Sequence, residues 1–538
     1  MGKYTNSILK STDEYYEAGK VDRMAKLYEL LKSIDVLESW NGQDKDITGL
    51  AYNSRSVEPG NIFVCIKGFK TDGHTYIPEA VSNGASAIVV EDYQEGWEDI
   101  PQYRVANSRA SLAALSDHFY GHPSRGMKTI GITATNGKTS TSFMTNAILE
   151  EHGWKTGLIG TVVVKYGDYS EPTKLTTPES LDLHRYFAQM KNQDVSHVTM
   201  EVSSSALDLK RVGSVDFDIV SLNNISREHI DLHGSFEEYF NSKASLIREA
   251  DEDQWAVLNL DDEYSASLID ETKANILTFS VETGDGDLIC KNLDLSTGRA
   301  KFTVEIRKPF TVGETTYEPG EFDIELSTPG YHSVYNSMVA IAIGLLNEIP
   351  YATIQKGLKS FGGVERRFEM VFEEDFKILD DHFANYGNIN VTLSTLQQMK
   401  YRDLKLVYAI RGSRGPTVNR ENAEAIAEWA PRLGLTDLIA TVSKSHVTEK
   451  DVVTDEEVRV FREVMDEAGI NVHFYEELDD AIDYALSDVD QDDVVLLAGC
   501  QGMDPGAKIA LEQLNKARPE MDEEKLFKPL KNRVAGIL

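Results

Sequence analysis

The stretch KTIGITATNGKTSTSF, Lys128 to Phe143, constrains the fold more than any other. Its first six residues have the length and character of a buried strand. A polar turn carrying Gly137 follows. Lys138-Thr139 then opens an amphipathic helical pattern that runs to about Glu151 and is closed by Gly153. Strand, tight turn and helix N-terminus together present backbone N–H groups to a phosphate. A lysine at the turn bridges phosphates, and the next hydroxyl reaches Mg²⁺. The strict pattern asks for glycine at position 132, where this chain has Ile132. Thr135, Asn136, Gly137, Lys138, Thr139 and Ser140 therefore read as a variant phosphate-binding loop.

The same strand–turn–helix order recurs along the chain, which implies doubly wound parallel sheets. A chain of 538 residues needs more than one core. The pattern breaks at HPSRGM, near residue 125, and again at SFGGVERRFE. Beyond the second break, LKLVYAI, LTDLIATV and DDVVLLAG read as buried strands separated by helical stretches such as RENAEAIAEWA. The expected class is α/β with three domains. Residues 1–125 form the first, with a helical lead-in over 1–40. Residues 126–364 form the second, a central doubly wound sheet around the loop. Residues 365–538 form a third, Rossmann-like domain.

The formal charge is −34, from 54 basic and 88 acidic residues. Such a field argues against nucleic acid and anionic membranes as partners. An anionic substrate must instead be caught by a few clustered cations. The longest apolar run, Val339 to Leu346, is too short to span a bilayer. The N-terminus has no apolar stretch of signal-peptide length. Cys65, Cys290 and Cys500 lie far apart with no metal or redox spacing, as expected in a reducing cytoplasm. No obligate protein partner is evident.

Three further segments carry candidate chemistry. Glu201 follows the apolar strand SHVTM, so it stands at a strand's carboxyl end, the edge that faces ligands in a doubly wound sheet. There it is a Mg²⁺ ligand or a solvated acid. His229 and His233 occupy the loop NNISREHIDLHG as ligand, cap or surface residues. The helix SFEEYFNSKASLIREA follows, with Ser235 and Glu238 at capping-box spacing. Lys243 lies on its apolar face among Tyr239, Leu246 and Ile247. Either its stem packs while the charge escapes to water, or the amine is held for its chemistry.

These segments together resemble the Mur ligases, the ATP-dependent amino-acid ligases of cell-wall peptide synthesis. The resemblance is strongest to the type that extends UDP-N-acetylmuramoyl-dipeptide. It is carried by Thr133–Ser140 (with Ala134 for a usual glycine), GLIGTV, TTPES, EVSS, Asn224–Gly234 and GYHSVYNSMVAIA. NSRSVEPGNIFVCIKGFKTDGHTYI is similar to the family's UDP-binding domain. Farther on, ERRFE, DHFANYGNI and RGSRG resemble family motifs more loosely. Arg366 replaces a glycine and Ala384 a histidine there. The Asp-Asn-Pro-Arg and Gly-Lys-Gly-His-Glu motifs of diaminopimelate-adding members are absent.

The resemblance implies a site. Lys138 would neutralise phosphate charge, and Asn336, Arg367 and Asp381 would hold ATP with the loop. Thr139, Glu201, His229 and Lys243 would hold Mg²⁺, with Lys243 as its carbamate. CO₂ adds only to a neutral amine, and desolvation favours that form. Ser54 and Arg55 would bind the UDP part of the substrate. Thr176, Thr177, Ser203 and Arg211 would bind its muramoyl-peptide part, and Arg414 the incoming amino acid. The implied reaction joins a free amino acid to the carboxylate of a UDP-linked peptide precursor through an acyl phosphate. Two alternatives remain: a ligase for another acceptor, such as a pseudomurein precursor, or a non-catalytic nucleotide-binding homologue.

Overall fold

The computed structural model describes residues 23–68, 71–226, 235–295, 299–531 and 533. Three main sheets organise them. The first has five strands in the order Glu38–Trp40, Gln102–Arg104, Ala87–Val90, Asn61–Val64, Gly49–Ala51. All its neighbours run parallel except the first pair. Helix Ser108–Phe119 packs Leu112, Leu115 and Phe119 into its core.

The expected helical lead-in is corrected over residues 23–40. A single short helix, Leu27–Leu31, lies between strands Ala25–Lys26 and Glu38–Trp40. Ala25–Lys26 pairs with Asp46–Ile47, and one helical turn suffices to bury Leu27 and Leu30. Sheet pairing overrides the local helix propensity here.

The second sheet has eleven strands. Its parallel part includes β1 (Lys128–Thr133), β2 (Thr156–Ile159), β3 (His197–Glu201), β4 (Ile219–Leu222), β5 (Trp255–Asn259) and β6 (Asn275–Ser280), in the spatial order β2-β3-β1-β4-β5-β6, and continues beyond β6 into Leu288–Asp294. β1 lies in the middle, and Ile130 and Ile132 are fully buried. Helix α1 (Lys138–Glu151) follows the loop after β1, and α2 (Phe236–Arg248) precedes β5. Helix α3 (Tyr331–Leu346) is apolar nearly all round and is buried accordingly, with Ile148 of α1 in the same core.

The third sheet has six strands. An antiparallel edge strand, Glu369–Glu373, flanks five parallel ones. These are β7 (Lys377–Asp381), β8 (Leu404–Ala409), β9 (Asp437–Thr441), β10 (Asn471–Tyr475) and β11 (Val494–Gly499), in the order β7-β11-β8-β9-β10. Helices α4 (Tyr386–Gln398), α5 (Pro416–Leu433) and α6 (Asp455–Glu467) belong to this unit. No helix among the described residues is long and apolar enough to cross a membrane.

Candidate active site

The loop after β1 is held from three sides. The Thr135 N–H donates to the Asn224 carbonyl (2.9 Å). The Asn136 N–H donates to Asn224 Oδ1, and Asn224 Nδ2 returns a bond to the Asn136 carbonyl (both 2.9 Å). Thr135 Oγ1 lies 2.9 Å from the Tyr239 hydroxyl of α2 and accepts the Ser226 N–H. Gly137 has φ of +88°, and a Cβ there would stand 2.2 Å from Asn336 Oδ1 on α3. Only glycine permits both that conformation and that approach. Asn336 is buried, accepts from the Thr141 hydroxyl (3.3 Å), and leaves its Nδ2 without a partner among the described residues. A buried amide donor poised over the loop fits a nucleotide.

Both lysines converge here. Lys138 Nζ donates to the carbonyls of Ala134 (2.8 Å) and Thr135 (3.0 Å). Lys243 Nζ donates to the same Ala134 carbonyl (2.8 Å) and lies 3.4 Å from Thr133 Oγ1. Lys243 is only 2% exposed, and its Nζ sits over the Tyr239 ring. The amine does not escape to water, so the snorkelling alternative is overturned. The helix begins as expected, with Ser235 Oγ accepting the Glu238 N–H (3.1 Å).

Glu201 ends β3 and is fully buried. Its Oε2 accepts from the hydroxyls of Thr139 and Thr161 (both 3.0 Å), and its Oε1 accepts the Thr161 N–H (2.8 Å). A Cβ on Gly160 would meet Oε1 at 2.2 Å. A buried carboxylate beside a threonine hydroxyl supplies the hard oxygen ligands that suit Mg²⁺. Among the described residues, no group of three or more His, Cys, Asp or Glu forms a metal centre. His229 lies outside the described residues.

The segment around Thr176 and Thr177 is laid against the same strand end. The Thr161 and Thr176 hydroxyls are 3.1 Å apart. Thr177 Oγ1 donates to the Glu201 carbonyl (2.8 Å) and accepts the Ser203 N–H (3.1 Å). Ser203 caps the short helix Ser204–Asp208. Arg211 Nε pairs with Glu179 (3.0 Å), which also holds Arg109 of the first domain (3.1 Å). Thr139 is buried and Ser140 half-buried in the first turn of α1.

Ser54 and Arg55 stand apart, beyond strand Gly49–Ala51. Ser54 Oγ donates to Glu79 (2.5 Å), and Arg55 is exposed. In the third sheet, Asp381 ends β7. Burial pushes its carboxyl up to about 6, against the Thr392 hydroxyl bond and the Arg367 charge. Burial, together with the charges of Arg367, Arg366 and Arg411, holds His382 well below the usual histidine range. Arg366 adopts φ of +57°, the left-handed region that suits glycine. It pairs with Asp380 and Asp504 and donates to the Gly499 carbonyl. Arg414 is exposed, but its backbone N–H is pinned, with those of Ser413 and Gly415, by the buried Glu457 carboxylate.

Among the described residues, one bond joins the two larger units at the loop: Asn388 Nδ2, in the first turn of α4, donates to Asn136 Oδ1 (2.8 Å). Asn224, Asn388 and Glu457 were not singled out in the sequence. Glu457 had a usable signal, the capping-box spacing from Thr454, which the structure completes. The two asparagines lay within quoted motifs, but their contacts span long stretches of chain.

Three family models match in chain order: Mur ligase family, catalytic domain, over residues 46–120; Mur ligase middle domain, over 132–344; and Mur ligase, glutamate ligase domain, over 366–501. The chain is 33% identical over 485 residues to the UDP-N-acetylmuramoyl-L-alanyl-D-glutamate--2,6-diaminopimelate ligase of Bacillus licheniformis, covering 88% of this chain and 94% of that one. MurF from Acinetobacter baumannii superposes with a TM-score of 0.64 at 18% identity, covering 92% and 100% of the two chains. The MurF ligase from Thermotoga maritima in complex with ADP gives 0.57 at 19% identity, covering 88% and 98%. With all three family domains matched in order and a relative aligned along nearly its whole length, the chain belongs to the Mur ligase family.

Proposed function

We propose that the protein is an ATP-dependent ligase that joins an amino acid to the carboxylate of a UDP-linked cell-wall peptide precursor. The observation that carries this reading is the convergence of Lys138 and Lys243 on the Ala134 carbonyl, beside the buried Thr139–Glu201 pair. The relative's name, a UDP-N-acetylmuramoyl-peptide ligase, supports the substrate class.

Thr135 to Ser140 would cradle the phosphates of ATP, and Asn336 would offer its free amide donor to the nucleotide. Thr139, Glu201, His229 and a carbamate on Lys243 would hold Mg²⁺, which supplies charge neutralisation for phosphoryl transfer. Turned from the loop carbonyls to the γ-phosphate, Lys138 stabilises the charge that develops there. The γ-phosphoryl group moves to the substrate carboxylate and ADP leaves. The amino-acid amine then attacks the acyl carbon, the C–O bond to phosphate breaks, and the amine loses a proton.

Ser54 and Arg55 would face the UDP group, and Thr176, Thr177, Ser203 and Arg211 the muramoyl peptide. Arg367 and Asp381 would complete the nucleotide site and Arg414 the amino-acid site. The Asn388–Asn136 bond supports closure of the third domain over the loop, which would exclude water from the acyl phosphate. The test is phosphate release from ATP with a UDP-linked dipeptide and an amino-acid panel. Release that requires both the acceptor and an amino acid is expected. Release independent of either, or none at all, overturns the reading.

A further inference from the structure

Arg533 lies beyond the last matched family domain, which stops at residue 501, yet its side chain is only 2% exposed. The segment leading to it is docked on the edge strand Glu369–Glu373 of the third sheet. Leu526 is buried in the same core as Val371 and Phe372, and Lys525 pairs with Glu374 (2.6 Å). Arg533 donates Nε and Nη2 to Glu369 Oε2 (3.2 and 2.5 Å), and Nη2 also to Asp380 Oδ2. A guanidinium is costly to bury unless it is paired in this way, and packing the segment on the sheet does not require one.

Both acceptors lead to one turn. Glu369 Oε2 also accepts the backbone N–H of Arg366 (2.9 Å), and Asp380 gives its other oxygen to Arg366 Nε (3.4 Å). The Arg366 carbonyl accepts the His382 N–H (2.9 Å), and Asp381 accepts the Phe368 N–H (2.6 Å). Arg366 and Phe368 have φ of +57° and +51°. Neither is glycine, so the surroundings must impose these left-handed conformations. The carboxylates of Glu369 and Asp381 do so, one on each side of Arg367.

Glu369 holds the Arg366 N–H best as a carboxylate, because charge-assisted bonds are the strong ones. Burial favours its neutral form, and the Arg533 charge opposes that. Among the described residues Glu369 pairs with no other cation. Removing Arg533 therefore loosens the grip on Arg366 and leaves Asp380 to the Arg366 side chain alone.

We propose that Arg533 is a positioning residue for Arg367. It locks the turn from Arg366 to Phe368, and through that turn sets where the Arg367 guanidinium stands at the nucleotide. This rests on the reading of Arg367 as a nucleotide-binding residue given above.

The test is a double-mutant cycle in the full-length protein, with Arg367→Ala, Arg533→Ala and the pair. The readout is the Kd of N-methylanthraniloyl-ATP with Mg²⁺, and circular dichroism and the thermal midpoint confirm folding. Arg367→Ala should raise Kd at least tenfold and Arg533→Ala at least fivefold. The pair should stay within twofold of Arg367→Ala, because effects multiply at independent sites and not at coupled ones. Millimolar ethylguanidinium should restore most of the affinity of Arg533→Ala and none of that of Arg533→Leu, whose side chain fills the vacated space. Where Arg533→Ala does not fold, Arg533→Lys serves: it keeps the charge without the fork and should still raise Kd at least threefold. An unchanged Kd in a folded Arg533 variant, even with a lowered thermal midpoint, overturns the proposal and leaves Arg533 a structural staple. So does a fully multiplicative effect in the pair. If Arg367→Ala itself binds the analogue normally, the nucleotide reading of Arg367 falls, and the proposal with it.

Discussion

Lys138 and Lys243, from the first turn of α1 and from the distant helix α2, donate to one and the same oxygen, the Ala134 carbonyl, each at 2.8 Å. Lys138 is half-buried on the first turn of α1, so its removal leaves no cavity in the core. Lys138→Ala should therefore keep the thermal midpoint and lose activity. Removal of one donor to developing charge typically costs about 10²–10³-fold in kcat, and a loss of at least that size is expected. Near-normal turnover in a folded variant would refute the loop assignment.

Lys243 calls for a different pattern. Lys243→Ala should be inactive, and formate should restore part of the activity by taking the oxygen-ligand position of a carbamate. Lys243→Arg should stay inactive with or without formate, because guanidinium forms no carbamate and remains cationic. Intact-protein mass spectrometry under CO₂ provides an independent reading: trapping of one carbamate that is absent from Lys243→Ala.

Asn388 reports on contact between the second and third units. Its side chain donates to Asn136 on the loop itself. Asn388→Ala should leave KM for the UDP-linked acceptor nearly unchanged and lower kcat. It should also raise the fraction of ATP consumed without ligation, as water reaches the acyl phosphate. Tight coupling of ATP use to product in this variant would rule out a closing role for the contact.

Asp381 makes stability depend on pH. Burial raises its carboxyl from 3.8 to about 6 in the fold. A raised carboxyl favours the folded state in its neutral form. That contribution is full below about pH 3.8 and is lost as pH rises through about 6, amounting to about 3 kcal/mol. Urea unfolding of the free protein should show wild type losing stability relative to Asp381→Asn between pH 4 and 7. A pH-independent difference would contradict this.

The third unit is also expected to disfavour meso-diaminopimelate. That substrate carries a second zwitterion, best held by an arginine fork and an acidic partner. Here Lys444 pairs with Glu476 (2.9 Å), His446 with Asp479 (2.6 Å), and Asp504 with Arg366. In competition among equal concentrations of meso-diaminopimelate, lysine, ornithine, alanine and glutamate, diaminopimelate should not lead. A tenfold lead for it in kcat/KM, about 1.4 kcal/mol, would reverse this reading.

What could be read from the sequence was local. The strand, turn and helix around Lys138 and the apolar face carrying Lys243 follow from spacing over one or two turns, and the structure has both. Asn336 was reached only through resemblance, because its bond to Thr141 spans 195 residues. The Asn136–Asn388 bond spans 252, and no periodicity encodes such a meeting. Arg366 looked like a defect where glycine is usual. Its three partners, Asp380, Gly499 and Asp504, come from separate segments and explain how an arginine holds that backbone conformation.

The position of β11 bears on how the third unit comes together. It lies at the centre of the sheet between β7 and β8, yet it is the last of the strands along the chain. Until it docks, β7 and β8 cannot be neighbours, and both carry open backbone edges. Such edges invite pairing with other chains. Assembly of this unit therefore depends on one late, non-local insertion, a topology that slows folding. During refolding, losses to aggregation should fall chiefly on species in which that gap is still unfilled.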